Sequence, residues 1–403
     1  MQTIINIERK TIRSLAVAVT PMGLGQTAVL VYLPLLVTHT GIGYSQWAQL
    51  LALGMAAYLA GILVWPLLLP RLGYPLALRL GLAGYGASML LLAAALAGLW
   101  GNHLDREAAM VGVALSRLLY GGFASILLPV VQSWCADLTH ADQRLRAFSQ
   151  ISLQLALSRA LGPALAALLG WLHWLLLPLA LALWPLLLMG RVWHLPAPPD
   201  PDPPQHWRRH LRGVIPPRWL GLLALATTAI GSSLQFQLGP ALEQLSDLPP
   251  RSLSLFLGAL MVAAAALSVG AHRLQIRRPP VQPQLRKLWL AALLLVSALG
   301  LLYARSLWQF CGIVLVMSLA LAWMTPLYSS QLSLLQQRQN LAAAQLGVTH
   351  ILGHLSGLSV TALALRHSLH CVYIWLTMLA AVCLVAALSW RPLQPAPGAS
   401  ASQ

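Results

Sequence analysis

Long apolar runs, cut at short intervals by basic or proline-rich segments, set the pattern of this chain. A helix needs about 20 apolar residues to cross a bilayer. On that rule the sequence predicts six spans over 14–37, 46–69, 76–99, 108–133, 147–169 and 171–190. Six more follow over 218–240, 252–271, 287–304, 306–328, 341–364 and 369–389. The expected fold class is all-α integral membrane. The expected units are a six-helix half over 1–190, a linker over 191–217, and a second half over 218–403 ending in a short tail. The linker holds Pro196-Ala-Pro-Pro-Asp200-Pro-Asp-Pro-Pro204, where proline denies the chain a helical hydrogen-bond ladder, and then the basic stretch from His206 to Arg212.

Composition agrees with the pattern. Hydrophobic residues make up 58% and charged residues 8% of the 403 positions, against about 25% charged in soluble domains. The net charge of +16 does not indicate nucleic acid, because the arginines fall between apolar runs and form no single basic face. They indicate orientation instead. With the N-terminus inside, nineteen of the 25 Lys and Arg fall in cytoplasmic segments and four on the far side. The remaining two, Arg117 and Arg159, lie within spans. Both termini are therefore expected in the cytoplasm, in a bacterial inner (plasma) membrane. The polar start, Met1 to Arg13, precedes an apolar run too long for a cleavable leader and reads as the entry to a retained first span. Cys135, Cys311, Cys371 and Cys383 have no paired spacing and read as small hydrophobes. Leu/Ala/Trp stretches such as Trp171 to Trp184 read as lipid-facing surface and interface anchors.

The candidate chemistry starts from the two intramembrane arginines. An arginine near the bilayer centre costs roughly 2.5–3.5 kcal/mol on insertion scales, so it is expected to face water, a partner or a cargo. Arg117 is followed by Gly121 and Gly122, and Arg159 by Gly162-Pro163. Other polar groups at depth complete an expected cavity lining: Gln26 in the first span, Gln235 and Gln237 in the seventh, and Gln331, Gln345, His350 and His354 toward the end. His350 and His354 share a helix face, but as a metal pair they lack a carboxylate or cysteine partner. No metal and no cofactor are expected. All nine acids fall in loops or at span ends, so the proton carrier is expected to be Glu107, Glu243 or a histidine.

The two halves echo each other. Gln143-Arg144 before the fifth span matches Gln337-Arg338 before the eleventh, with Pro129 and Pro326 at similar distances upstream. Six plus six spans, a long central loop and this repeat predict two parallel pseudo-repeats about a central path.

This arrangement resembles the major facilitator superfamily over nearly the whole chain. The family's loop between spans two and three is matched in part by Pro66-Leu-Leu-Leu-Pro70-Arg71-Leu-Gly73-Tyr74-Pro75, which keeps Arg71 and Gly73 but lacks the aspartate and paired arginines. Arg117 and Gly121 match the fourth-span Arg-x-x-x-Gly, which the resemblance ties to cavity charge and proton coupling. Gly162-Pro163 resembles the end of the fifth-span motif of family exporters, which implies outward transport. Arg71, Gly73, Gly121, Arg144, Gly162, Pro163 and Arg338 are accordingly expected to govern conformational exchange, while Arg117, backed by Arg159, binds cargo.

The expected function is secondary active transport by alternating access, exporting a small polar or anionic molecule, with a siderophore-like carboxylate favoured and the proton as coupling ion. The expected partners are that small molecule, membrane lipid and protons, and the expected state is a monomer. The alternatives are a broad drug efflux carrier and a sugar or metabolite importer. A membrane-embedded transferase would need paired acids or a nucleophile constellation, and His140-Ala-Asp142 has no second member.

Overall fold

The computed structural model describes residues 2–139, 141–193, 195, 216–277, 283–335 and 339–390, and over these the chain is helical apart from short connections. The helices are α1 (Gln2–Ala18), α2 (Thr20–Thr40), α3 (Tyr44–Trp100), α4 (Arg106–Leu138), α5 (Ala141–Leu172) and α6 (Leu176–Val192). Then follow α7 (Arg218–Leu245), α8 (Pro250–Arg277), α9 (Pro283–Tyr303), α10 (Leu307–Leu335), α11 (Gln339–Ala364) and α12 (Leu369–Ser389). Among the described residues, eleven helical stretches are long and apolar enough to cross a membrane, and α6, with 17 residues, is a shorter apolar helix. The protein is a multi-pass membrane protein of twelve helical spans.

Most of the expected spans are found, with shifted ends. The first runs through α1 and α2 from Lys10 to Thr40. The second and third are the two limbs of α3, which bends at Gly73. There φ is 69° and ψ 160°, a backbone state that a side chain would strain. The sixth span begins at Leu176, later than the expected 171, because Trp171 and Leu172 complete α5. The chain turns at His173, whose Nδ1 accepts from the Leu175 N–H at 3.2 Å. The reading of Trp171 to Trp184 as lipid-facing fails at Trp174. Trp174 is buried, its ring stacks on His39 with centroids 4.7 Å apart, and its carbonyl accepts from the Tyr32 hydroxyl. Arg338 and most of the linker lie outside the described residues, and so does the side chain of Arg144.

Packing repeats between the halves. Helix α2 packs on α5 as α7 packs on α11, and α3 packs on α4 and α6 as α9 packs on α10 and α12. The close crossings use small residues, which let backbones approach where lipid offers no hydrophobic drive. A methyl group on Gly162 of α5 would lie 2.8 Å from the Leu24 carbonyl oxygen of α2, and one on Gly357 of α11 would lie 2.6 Å from that of Ala229 of α7. One turn earlier, Gly23 of α2 faces Ser158 of α5, whereas in the second half the glycine has changed sides, with Gly353 of α11 facing Thr228 of α7. Pro34, Pro129 and Pro163 lie inside α2, α4 and α5, and Pro240 and Pro326 inside α7 and α10. Packed neighbours can re-satisfy the carbonyls that such prolines free.

The halves meet through α5 on α8, α3 on α11, and α2 on α7 and α8. Ser45 Oγ donates to the Ala362 carbonyl at 2.7 Å, and Ser254 Oγ to the Val31 carbonyl at 3.0 Å. With its amide turned to suit, Gln49 accepts from Arg366 Nε at 3.2 Å. Gly258 of α8 lies against Ala167 and the Pro163 carbonyl of α5. These contacts lie toward one end of the bundle, the end that carries the α2–α3, α7–α8 and α11–α12 connections.

Candidate functional site

Arg117 stands on α4 where α4 presses on the first limb of α3. Gly121 makes this approach possible, since a methyl group there would overlap the Gly54 carbonyl oxygen and come within 2.6 Å of the Tyr58 nitrogen. The Arg-x-x-x-Gly spacing thus has a packing cause: the glycine seats the helix one turn from the charge. Arg117 itself is only 3% exposed. Its Nη2 donates to Ser116 Oγ at 3.0 Å and approaches Met89 Sδ at 3.7 Å, its guanidinium lies 5.4 Å from the Tyr120 ring centre, and its Nε has no partner.

Arg159 on α5 differs in one decisive respect: it is exposed. Its Nε donates to Gln26 Oε1 of α2 at 3.1 Å, and its carbonyl accepts from Thr27 Oγ1 at 2.9 Å. Tyr58 of α3, Tyr120 of α4, and His350 and His354 of α11 lie within electrostatic reach of its charge. The residue thus keeps accessible surface while α2 holds it through Gln26 and Thr27 and groups of both halves surround it, so its charge stands between the halves. Arg117 lies behind it, with Tyr120 in reach of both arginines.

In the second half, His350 Nε2 of α11 and the Tyr328 hydroxyl of α10 are 2.9 Å apart, and the Tyr328 hydroxyl also reaches Thr325 Oγ1 at 3.5 Å. His354 follows one turn on, and its carbonyl accepts from Ser232 Oγ of α7 at 3.1 Å. Of the expected glutamines, Gln26 touches Arg159, Gln235 is exposed and Gln331 half-buried. Gln345 is 3% exposed and Gln237 is fully buried, with both amide atoms of Gln237 lacking a partner. The structure thus brings Arg159, Gln26, His350 and His354 together and sets Arg117, Gln237 and Gln345 back from the open space.

Sequence reasoning missed Tyr58, Tyr85 and Tyr120. Tyr85 and Tyr120 meet edge to face at 5.3 Å, and Tyr85 donates to the Pro21 carbonyl at 2.8 Å. The available signal was Tyr120 three residues after Arg117, on the same helix face. Every described carboxylate side chain stands apart from the cavity: Asp105 caps α4, Glu107 lies in its first turn, Asp137 accepts from Tyr74 at 2.7 Å at its last, Glu243 is near the end of α7 beside Tyr44, and Asp247 lies in a loop. Glu107 as proton carrier therefore has no contact with the cavity.

A profile of the Major Facilitator Superfamily matches residues 15–361. No curated protein matches the chain in sequence. The fold is shared with a bacterial homolog to the human lysosomal transporter Spinster, in inward-facing and occupied conformation. That match has a TM-score of 0.68 and 13% identity, covering 95% of this chain and 98% of that one. It is also shared with a D-xylose-proton symporter, with a TM-score of 0.70 and 14% identity, covering 96% of each chain.

Proposed function

The chain belongs to the Major Facilitator Superfamily, and from that premise we propose that it carries a small organic anion through a central cavity, with Arg159 as the group that binds it. The observation that supports this reading is the state of Arg159: exposed, held at Nε by Gln26, and with no described carboxylate near it. Holding Nε leaves the two terminal nitrogens for a ligand, and a guanidinium offers carboxylate a matched pair of hydrogen bonds. Release at the other membrane face would follow from rocking of the halves about the α5–α8 and α3–α11 contacts.

Export was expected from Gly162-Pro163. Since close packing on α2 accounts for Gly162, the pair gives no direction, and direction turns instead on how cargo and proton are coupled. The orientation we propose, with both termini in the cytoplasm, rests on the arginine distribution. A reporter active only outside the cytoplasm should be silent after Pro199 and active near Gly101.

The test of the cargo class is binding to the purified protein. Gluconate and tartrate, whose carboxylates stay ionised near neutral pH, should bind to wild type, and Arg159→Gln should weaken both at least tenfold with its melting temperature kept. A neutral hydroxylated cargo is the second reading, favoured by Gln26 and the tyrosine hydroxyls around Arg159. If xylitol binds and neither carboxylate does, that reading replaces the first.

A further inference from the structure

We propose that His350 takes up the proton that accompanies the anion, so that anion and proton occupy the cavity together and cross as a pair. This rests on the anionic-cargo reading of Arg159. A transporter driven by protons needs a titrating group that changes its exposure between facing states. The described carboxylate side chains lie at helix ends or in a loop, whereas His350 and His354 of α11 lie within a span.

His350 is the better placed of the two. Its Nε2 lies 2.9 Å from a tyrosine hydroxyl, a group that both donates and accepts. With the imidazole neutral at Nε2, the Tyr328 hydroxyl donates to it. Once Nε2 carries a proton, it donates to the Tyr328 oxygen, so the bond between the two groups is kept in both states. The groups facing the pair are few. Arg159 faces it from α5, His354 follows on the same helix, Tyr328 comes from α10, and Thr228 of α7 and Cys383 of α12 lie by the Tyr328 hydroxyl. Tyr58 of α3 stands on the Arg159 side.

The coupling has a definite sign. Arg159 is permanently charged, so a proton on His350 sets two cations across one cavity. An anion seated between them turns that repulsion into two attractions. The proton makes the anion bind more tightly, and by linkage the anion makes the proton bind more tightly by the same factor. Two ligands that favour each other's binding are carried together. Exchange of one for the other would need them to compete. An inward proton gradient would then drive the anion inward, opposite to the direction expected from the exporter-like motif.

Calorimetry of gluconate binding, repeated in buffers of different ionisation enthalpy, reads proton uptake directly. Wild type should take up a proton with the anion, and its affinity should fall as pH rises. His350→Gln should bind gluconate about tenfold or more weakly, take up no proton and lose the pH dependence, at an unchanged melting temperature. Tyr328→Phe, which keeps the ring and removes only the hydroxyl, should still bind with a displaced pH profile. Uptake of no proton by wild type, or uptake that survives His350→Gln, overturns the assignment while leaving Arg159 as the anion site. Absence of gluconate and tartrate binding to wild type overturns both together.

Discussion

Lys287 holds Trp390 at the end of α12: the ammonium lies 4.1 Å from the indole centre and donates to the Trp390 carbonyl. In the first half, Arg79 lies 4.5 Å from the ring of Trp193, just past the end of α6. The third span thus clasps the end of the sixth as the ninth clasps the end of the twelfth, each by a cation on a tryptophan. Nothing in the local sequence marks this repeat, because one cation is a lysine and the other an arginine.

The two clasps differ in burial, which sets the expected effect of breaking them. Lys287 is 2% exposed, whereas Trp193 is 57% exposed. A buried hydrogen bond from a charged donor is worth about 1.5–3 kcal/mol, and an exposed cation–π contact about 0.5–1 kcal/mol. The further bond from Arg79 Nε to the Pro75 carbonyl, at 3.0 Å, stays within its own helix and ties no second element. Lys287→Ala should lower the melting temperature in detergent by several degrees and Arg79→Ala by clearly less. Equal losses would show that burial does not distinguish the two clasps.

Gly121 and Gly122 are neighbours with opposite demands. A methyl group at Gly121 meets the α3 backbone, while at Gly122 nothing lies within 4 Å. Gly121→Ala should cost about 1–3 kcal/mol through overpacking and disturb the seat of Arg117. Gly122→Ala should be neutral or stabilise by up to about 1 kcal/mol, since alanine is the better helix former. Thermal unfolding of the two variants side by side checks the pair, and a destabilising Gly122→Ala would refute the packing account.

The sequence showed the architecture because the bilayer imposes it: span length and the distribution of arginine follow from the solvent, whatever the cargo. It could not show which arginine faces the cavity. Arg117 and Arg159 are each followed by glycine within a few residues, and they differ only in which neighbours cover them. That depends on the crossings of α3 with α4 and of α2 with α5, set by Gly121 and Gly162 against backbone atoms distant in sequence. His350 and His354 were legible as a pair on one helix face. Their partner across the cavity was not, because α5 and α11 belong to different halves.

Gly258 offers a handle on the contact between halves. A methyl group there would lie 2.8 Å from Ala167 Cβ and 3.2 Å from the Pro163 carbonyl oxygen. Gly258→Leu should hold α8 off α5 and open the end now closed by Ser45 and Ala362. In a background lacking the four native cysteines, Ser45→Cys should then react faster with a membrane-impermeant thiol reagent. Unchanged reactivity in a folded variant would mean that this crossing does not govern closure. Pro163→Ala, at the same crossing, should slow exchange between facing states without preventing insertion.

The last expectation separates the two arginines. Arg117 is buried with an unpaired Nε, one hydrogen bond to the Ser116 hydroxyl and a long contact to Met89 Sδ. Its guanidinium lies 5.4 Å from the Tyr120 ring centre with no described anion beside it, so its desolvation is incompletely compensated. Replacing such a charge by an apolar side chain of similar volume is often neutral or stabilising. Arg117→Met should therefore keep or raise the melting temperature, and its effect on transport should come from lost positive potential behind Tyr120. Arg159 is exposed and contributes little to packing, so Arg159→Lys should leave the melting temperature unchanged. It should nevertheless weaken anion binding, because an ammonium is a point charge and cannot give carboxylate the planar fork. Arg117→Lys, at a residue set back from the cargo, should affect affinity less than Arg159→Lys. Measuring gluconate affinity and melting temperature for all three variants gives a pattern that no purely structural role reproduces. If Arg117→Met unfolds the protein, the arginine is a tie between α3 and α4. If Arg117→Lys weakens binding more than Arg159→Lys, the anion sits against Arg117 and the assignment of the cavity cation is wrong.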